Sequence, residues 1–251
     1  MKALERAGYL AVARLPRFQA LLGQARRVVQ RALEITRNPY VAYSGGKDSA
    51  CLLWLVLEQK PDVAARILTS GESRLLHPNL DAVLDWWRLR FPNLDLQEIN
   101  VDRVWSAEWR EATWTEQRKA GKGDIIRELP ASGAFDGVFL GLRDEESNAR
   151  RLANKRGLIR RYAETRSDAT AGMWCFCPLA SWTIEDVGAM IVLHDLPLLA
   201  AYQVEGLQAR TTQRLTGDAV RQNAFVNLRM RDRVAYNRLL ERFPELGEWD
   251  G

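Results

Sequence analysis

The sequence predicts an α/β fold: an open, mainly parallel five-stranded sheet flanked by helices, with helical N-terminal and C-terminal segments. Three observations carry this. Short β-prone runs alternate with helical stretches of about 10–15 residues, and parallel strands need such crossovers, which are right-handed. The first strand runs through a glycine turn directly into a strongly apolar helical segment. The 251 residues are 47% hydrophobic and 27% charged, a globular composition that excludes disorder, collagen-like repeats and coiled coil.

From Pro16 to Thr36, Phe18, Leu21, Leu22, Ala25, Val28, Val29, Ala32 and Leu33 recur at helical spacing with arginines between them, so this segment reads as an amphipathic helix. The first strand is Pro39 to Tyr43, and the segment from Ser49 to Leu57 is the helix after the turn, ending before Pro61. A second strand, Ala65 to Thr69, ends in Ser70-Gly71; a helix from about Asn79 to Arg90 leads to a third strand at Leu94 to Val101. The Trp-rich, charged stretch between Trp105 and Ser132, with Gly121-Lys122-Gly123, reads as a mobile insertion of the kind that forms lids. Gly137 to Leu140 is the next strand and feeds Arg143 to Ser147 and a basic helix. Thr183-Ile184-Glu185-Asp186 opens another helix with a capping-box pattern, Asp standing where Glu or Gln is usual. The tail from Arg210 to Phe243 reads as helical and arginine-rich. The expected division is an N-terminal helical segment at 1–37, a nucleotide-binding α/β domain at 38–200 and a helical C-terminal segment at 201–251.

Composition narrows the function. No stretch reaches the ~18 apolar residues of a membrane helix, and Met1 to Arg6 does not begin a secretory signal, so a cytoplasmic protein with no membrane partner is expected. Cys51, Cys175 and Cys177 are too few for a disulfide framework and form a poor metal signature; they are read as reduced thiols. The net charge of +4 hides a cluster of Arg150, Arg151, Lys155, Arg156, Arg160 and Arg161 without an acid. That cluster is either a site for an anionic ligand or a solvated helix face.

The sharpest chemical signal is Ser44-Gly45-Gly46-Lys47-Asp48-Ser49 between a strand and a helix. Adjacent glycines let consecutive N–H groups turn inward as an anion nest, and the helix adds its positive end and unpaired amides. Ser44 and Ser49 supply hydroxyls, Lys47 a mobile positive charge, and Asp48 either caps the helix or holds magnesium. The spacing is neither that of a Walker A loop nor that of a dinucleotide fingerprint. The plain alternative is a glycine turn, against which the joint presence of both glycines, both serines and the lysine weighs.

This loop resembles the PP-loop of the ATP-pyrophosphatase superfamily, whose members cleave ATP between the α and β phosphates and adenylate a substrate. Two further segments resemble its phosphoadenosine phosphosulfate (PAPS) reductase and sulfate adenylyltransferase small-subunit branch: Leu140 to Arg150, reading LGLRDEESNAR, and Pro178 to Val187, followed by His194-Asp195-Leu196-Pro197. The three motifs span roughly residues 38–200. The resemblance implies an adenine nucleotide alpha hydrolase-like fold, ATP or PAPS as the nucleotide, and magnesium. If a helix begins near Asp144, then Arg143, Ser147 and Arg150 share one face, with Arg143 at the carboxyl end of a strand, where open α/β sheets bind ligands. Arg143 is the candidate for gripping a sulfate or phosphate, beside Gly141, and Glu146 is read as an i, i+4 partner of Arg150. Relatives carry an acid beside the nucleotide after the second strand, so Ser70 and Glu72 either approach the adenosine or form a turn. Trp174 and Trp182 are read as core aromatics, and His77 and His194 as structural.

The chain departs from the branch at its thiol chemistry. Thiol-dependent reductases use a cysteine in a C-terminal Glu-Cys-Gly-Leu-His segment, and nothing after Cys177 here is a cysteine; iron–sulfur members need about four cysteine ligands, so no cluster is expected. What remains is nucleotidyl transfer, with Lys47 and magnesium neutralising the leaving pyrophosphate and Arg143 holding the acceptor. Two alternatives stay open: a nucleotide- or nucleic-acid-binding module contacting phosphates through Arg150 to Arg161 and Arg229 to Arg233, and a subunit active only with a protein partner.

Overall fold

The computed structural model describes residues 3–71, 73–100, 135–155, 157–163, 171–209 and 224–249. Glu72, Arg156, the Trp-rich stretch and residues 210–223 lie outside them.

Two helices precede the sheet, α1 (Ala3–Ala13) and α2 (Pro16–Ile35). Proline at the first position of α2 suits a helix start because its missing N–H would be unpaired there anyway. Then follow β1 (Pro39–Ala42), α3 (Lys47–Leu57), β2 (Ala64–Thr69), the short α4 (Ser73–Leu76), α5 (Leu80–Arg90) and β3 (Asp95–Asn100). After β4 (Gly137–Phe139) come a 3-10 turn at Asp144–Glu146, α6 (Asn148–Asn154), β5 (Ile159–Arg161) and β6 (Trp174–Phe176). Helices α7 (Ile184–His194), α8 (Ala200–Glu205), α9 (Ala224–Arg231) and α10 (Arg233–Arg242) complete the chain with a last 3-10 turn at Pro244–Trp249.

Among the described residues the sheet has six strands, not five, in the order β3-β2-β1-β4-β6-β5. All neighbours are parallel except β5, which runs antiparallel to β6. The sequence located only the first four of these strands, and the two it did not place are the last two. The arginines of 150–161 suggested one basic helix, but α6 ends at Asn154, Gly157 turns the chain at φ 111°, and Ile159–Arg161 becomes an edge strand. Charged side chains are tolerated on an edge, where they also discourage pairing with other chains. Trp174–Phe176 has only three residues, too few to show a period.

Strand alternation sorts side chains to the two faces. Val41, Ile67, Phe139 and Phe176 face the main core with Phe18 and Leu22 of α2, Leu52 and Leu53 of α3, Trp87 of α5 and Met190 of α7. Because α3 lies in the middle of this core, most of it is buried, which is why its sequence is apolar nearly all round. Tyr40, Val138, Cys175 and Cys177 form a second cluster, with the Cys175 and Cys177 Sγ atoms 4.0 Å apart, while Cys51 belongs to the first. All three cysteines are free and buried. Trp182 is fully buried and meets Phe18 edge to face at 5.7 Å, and His194 lies against Trp54 at 4.6 Å. Trp174 packs partly buried on the main core. A third cluster joins Leu76 to Phe225, Leu228, Tyr236, Leu239 and Phe243 of the C-terminal helices.

The capping box at α7 forms as its pattern predicts: the Asp186 amide donates to the Thr183 hydroxyl, and the Thr183 amide to the Asp186 carboxylate at 2.8 Å. The buried Asp186 also pairs with Arg17 of α2 at 2.7 Å. No helix among the described residues is long and apolar enough to cross a membrane.

Candidate active site

The chain proceeds from β1 toward β3 on one side of the sheet and resumes with β4 on the other, so β1 and β4 flank a topological switch point. The loops leaving their carboxyl ends stand at the crevice where such sheets bind ligands. Those two loops hold the glycine loop and Arg143.

The first wall is the turn Ser44–Ser49. Gly45 has φ 73°, a left-handed conformation that side chains with a Cβ rarely adopt, and Gly46 stands at the N-cap of α3. The turn is held from within: the Ser49 hydroxyl donates to the Gly46 carbonyl at 2.9 Å and accepts the Ser44 amide at 3.1 Å, with the Ser44 hydroxyl 3.0 Å away. Ser49 is therefore a staple of the loop rather than a hydroxyl offered to a ligand, and it is buried. Nor does Asp48 cap the helix, since the cap position is Gly46. Its carboxylate reaches sideways, Oδ1 to Arg143 Nε at 2.6 Å and Oδ2 to Lys47 Nζ at 3.3 Å.

The second wall begins at Gly141, where a Cβ would stand 3.1 Å from the Asp48 carbonyl carbon and the Ser49 nitrogen, closer than side chains usually pack, so glycine suits the close approach of the two loops. Arg143 follows with 4% of its side chain exposed. Its Nε goes to Asp48, its Nη1 to Glu145 Oε2 at 3.2 Å, and Nη2 keeps no partner among the described residues. Glu145 Oε2 also accepts the Ile184 amide at the start of α7, at 3.1 Å. One carboxylate thus ties the second motif to the third.

No helix starts near Asp144. The chain makes one 3-10 turn, becomes extended at Ser147 (φ −167°, ψ 153°) and only then enters α6, so Arg143, Ser147 and Arg150 do not share a face. Ser147 caps α6, its hydroxyl accepting the Arg150 amide at 3.2 Å, as serine commonly does. Arg150 pairs with Glu146, whose carboxylate also takes the Arg143 amide at 3.2 Å. Each of the three acids has its own partners: Asp144 goes to Asn154 at 2.7 Å, Glu145 to Arg143 and the Ile184 amide, and Glu146 to Arg150 and the Arg143 amide. After β2, the buried Ser70 forms a turn, its amide donating to the Ser73 hydroxyl at 2.9 Å and its carbonyl accepting the Ser73 amide. Glu72 lies outside the described residues.

Lys47 is 4% exposed. Burial pushes its ammonium below the ordinary lysine value of 10.5, while the Asp48 carboxylate acts against that shift. Its Nζ donates to the Ala209 carbonyl at 3.2 Å and lies 5.3 Å from the Tyr202 ring centre. Neither Tyr202 nor Glu145 had been assigned a role from sequence. Glu145 was legible as part of a motif, but Tyr202 is 155 residues from Lys47 and no spacing announces it. No group of three or more metal-ligating side chains converges among the described residues.

The architecture is that of a PP-loop domain: a switch-point crevice with the glycine loop on one wall and a buried arginine on the other. The model of the phosphoadenosine phosphosulfate reductase domain matches residues 38–249, and the chain belongs to that family, a branch of the PP-loop ATP-pyrophosphatase superfamily. Among solved structures, a phosphoadenylyl-sulfate (PAPS) reductase from Candida auris, in a phosphate complex, shares 15% identity over 78% of this chain and 92% of its own, with a TM-score of 0.53. The U34-tRNA thiolase NcsA from Methanococcus maripaludis, with its [4Fe-4S] cluster, shares 14% over 89% of this chain and 80% of its own, with a TM-score of 0.51. At such identities the likeness is one of fold. No curated protein matches the sequence.

Proposed function

We propose that the chain binds ATP or a sulfonucleotide in this crevice and acts at the α-phosphate, adenylating an acceptor with release of pyrophosphate. The observation that carries the reading is the meeting of Lys47 and Arg143 on one carboxylate, Asp48, at the N-terminal end of α3. Two buried cations at the positive end of α3 form a site for a polyanion, and in the protein alone Asp48 serves as their internal counter-ion. At an effective dielectric near 20, unit charges about 4 Å apart attract by about 4 kcal/mol. A triphosphate, carrying several charges, outcompetes one carboxylate where a single small anion does not.

In the reaction an ionised acceptor oxygen attacks the α-phosphorus, a new P–O bond forms, and the bond to the bridging oxygen breaks with its electrons leaving on pyrophosphate. Lys47 and the α3 amides stabilise that charge, and Arg143 orients the incoming oxyanion through Nη2. An acceptor already ionised needs no general base. The loop offers magnesium one carboxylate whose oxygens already meet cations; this suits an ion shared with substrate phosphates, not a cage made by protein alone. Bound there by Asp48, magnesium would neutralise phosphate oxygens.

Calorimetric titration with ATP and magnesium, and separately with PAPS, tests the proposal, with pyrophosphate release followed in parallel. ATP binding with pyrophosphate release, both abolished in Lys47→Ala, is the expected result. Binding of PAPS alone would make this a sulfonucleotide enzyme, and binding of neither would overturn the reading.

A further inference from the structure

The lysine of the loop is held at both ends by a part of the chain far away in sequence. Its backbone N–H donates to the Tyr202 hydroxyl at 3.3 Å, its Nζ lies over the same ring at 5.3 Å, and Nζ donates to the Ala209 carbonyl at 3.2 Å. Tyr202 is itself buried and built into place. At the start of α8, Asn79 accepts the Ala200 amide at 2.8 Å and donates to the Leu198 carbonyl at 3.0 Å. At its end, Glu205 accepts from Asn227 at 3.1 Å and from Arg231 at 3.0 Å. A helix of six residues is too short to hold itself in one place; these flanking contacts fix it, and with it the ring.

The placement has a chemical consequence. A buried ammonium loses hydration, and an aromatic face restores part of that loss without neutralising the charge or competing as an anion. Asp48 does neutralise it, so Tyr202 is, with the Ala209 carbonyl, a partner that keeps Lys47 both cationic and aimed when phosphate displaces Asp48. The hydroxyl serves a second purpose. It occupies the first amide of α3, one of the donors left unpaired at a helix start, with a neutral oxygen that a phosphate oxygen can replace.

We infer that Tyr202 is a positioning residue for Lys47, its ring supporting the ammonium and its hydroxyl reserving the Lys47 amide for the ligand. The inference rests on the proposed nucleotide site for its functional part and on geometry alone for its structural part. Tyr202→Met, apolar and of similar bulk but without a π face, and Tyr202→Phe, which keeps the ring, separate the two. The first readout needs no ligand: the rate at which Lys47 is reductively methylated, followed by peptide mass spectrometry in folded protein. Methylation of Lys47 is expected to accelerate in Tyr202→Met and to stay at the wild-type rate in Tyr202→Phe. The second is ATP affinity, expected to fall about 3- to 30-fold in Tyr202→Met and to be restored in Tyr202→Phe. If Tyr202→Met does not fold, Tyr202→Leu replaces it. Unchanged methylation in the folded ring-less variant, or equal acceleration in Tyr202→Phe, overturns the inference. A wild type that binds no nucleotide defeats the functional reading, while the methylation pattern still decides whether the ring positions the lysine.

Discussion

On one side of the crevice the chain turns through Ser44–Ser49 and holds its shape by bonds within six residues. On the other, Arg143 to Ser147 adds to one local 3-10 turn, closed by Glu146 on the Arg143 amide, a set of long-range bonds: Asp144 goes to α6, Glu145 to α7, and Arg143 across the crevice to Asp48. The first wall is a backbone device whose conformation its own glycines and serines specify. The second is a charge network, and its shape depends on partners distant in sequence. The proposed site therefore joins a loop shaped largely by its own residues to an arginine placed by other segments.

The largest expected effect comes from breaking the bond that joins the walls. Arg143→Gln breaks the bond to Asp48 and leaves that carboxylate, 13% exposed, paired with Lys47; losing a hydrogen bond to a charged group costs about 1.5–3 kcal/mol. Adding Asp48→Asn to that variant takes the counter-ion from the buried Lys47, but the Arg143–Asp48 bond is lost only once, so the double variant should cost less than the sum of the two single variants. Denaturant unfolding of both single variants and the double variant measures the coupling, expected at about 0.5–3 kcal/mol. Strict additivity would mean that the walls are independent and that the comparison fails.

The first wall should respond to pH in two opposite senses. Burial lowers the Lys47 ammonium below 10.5 in the folded chain, so in the window between its depressed value and 10.5 the unfolded chain binds more protons. Folding stability contributed by this group therefore rises with pH through that window. Ligand binding moves the other way, because neutral lysine cannot hold phosphate: ATP affinity should fall by up to about tenfold per pH unit, beginning below the pH at which an exposed lysine would titrate. Calorimetry of wild type against Lys47→Arg, which stays charged, isolates the effect. Identical pH profiles in the two proteins would remove Lys47 from the site.

The same contrast explains how much could be read from sequence. The glycine loop, its flanking strand and helix, and the capping box of α7 were legible because their determinants lie within a few residues of one another. Gly141 and Arg143 were legible as a motif at the end of a strand, and the fold placed them in the crevice. The α-helix expected from Asp144 is not formed, since Asp144 and Glu145 are drawn to Asn154 and the Ile184 amide, partners that only the fold brings near. Tyr202 left no trace in the sequence: a tyrosine that touches a residue 155 positions away carries no periodicity, and its role exists only once α8 is docked.

The smallest effects test whether the second wall is held by its distant contacts rather than by its own helix. Ser147→Ala removes the cap of α6, and the usual cost is about 1 kcal/mol. Arg150→Ala removes an i, i+4 pair with Glu146 in which the arginine is 39% exposed, worth a few tenths of a kcal/mol. If Glu145 and Asp48 fix Arg143, both variants should lower the melting temperature slightly and leave ATP affinity within about twofold, since neither residue shares a face with Arg143. An affinity loss in Arg150→Ala comparable to that of Arg143→Gln would instead make Arg150 a ligand contact and α6 part of the site. That result would turn the second wall from a network anchored elsewhere into a binding helix in its own right.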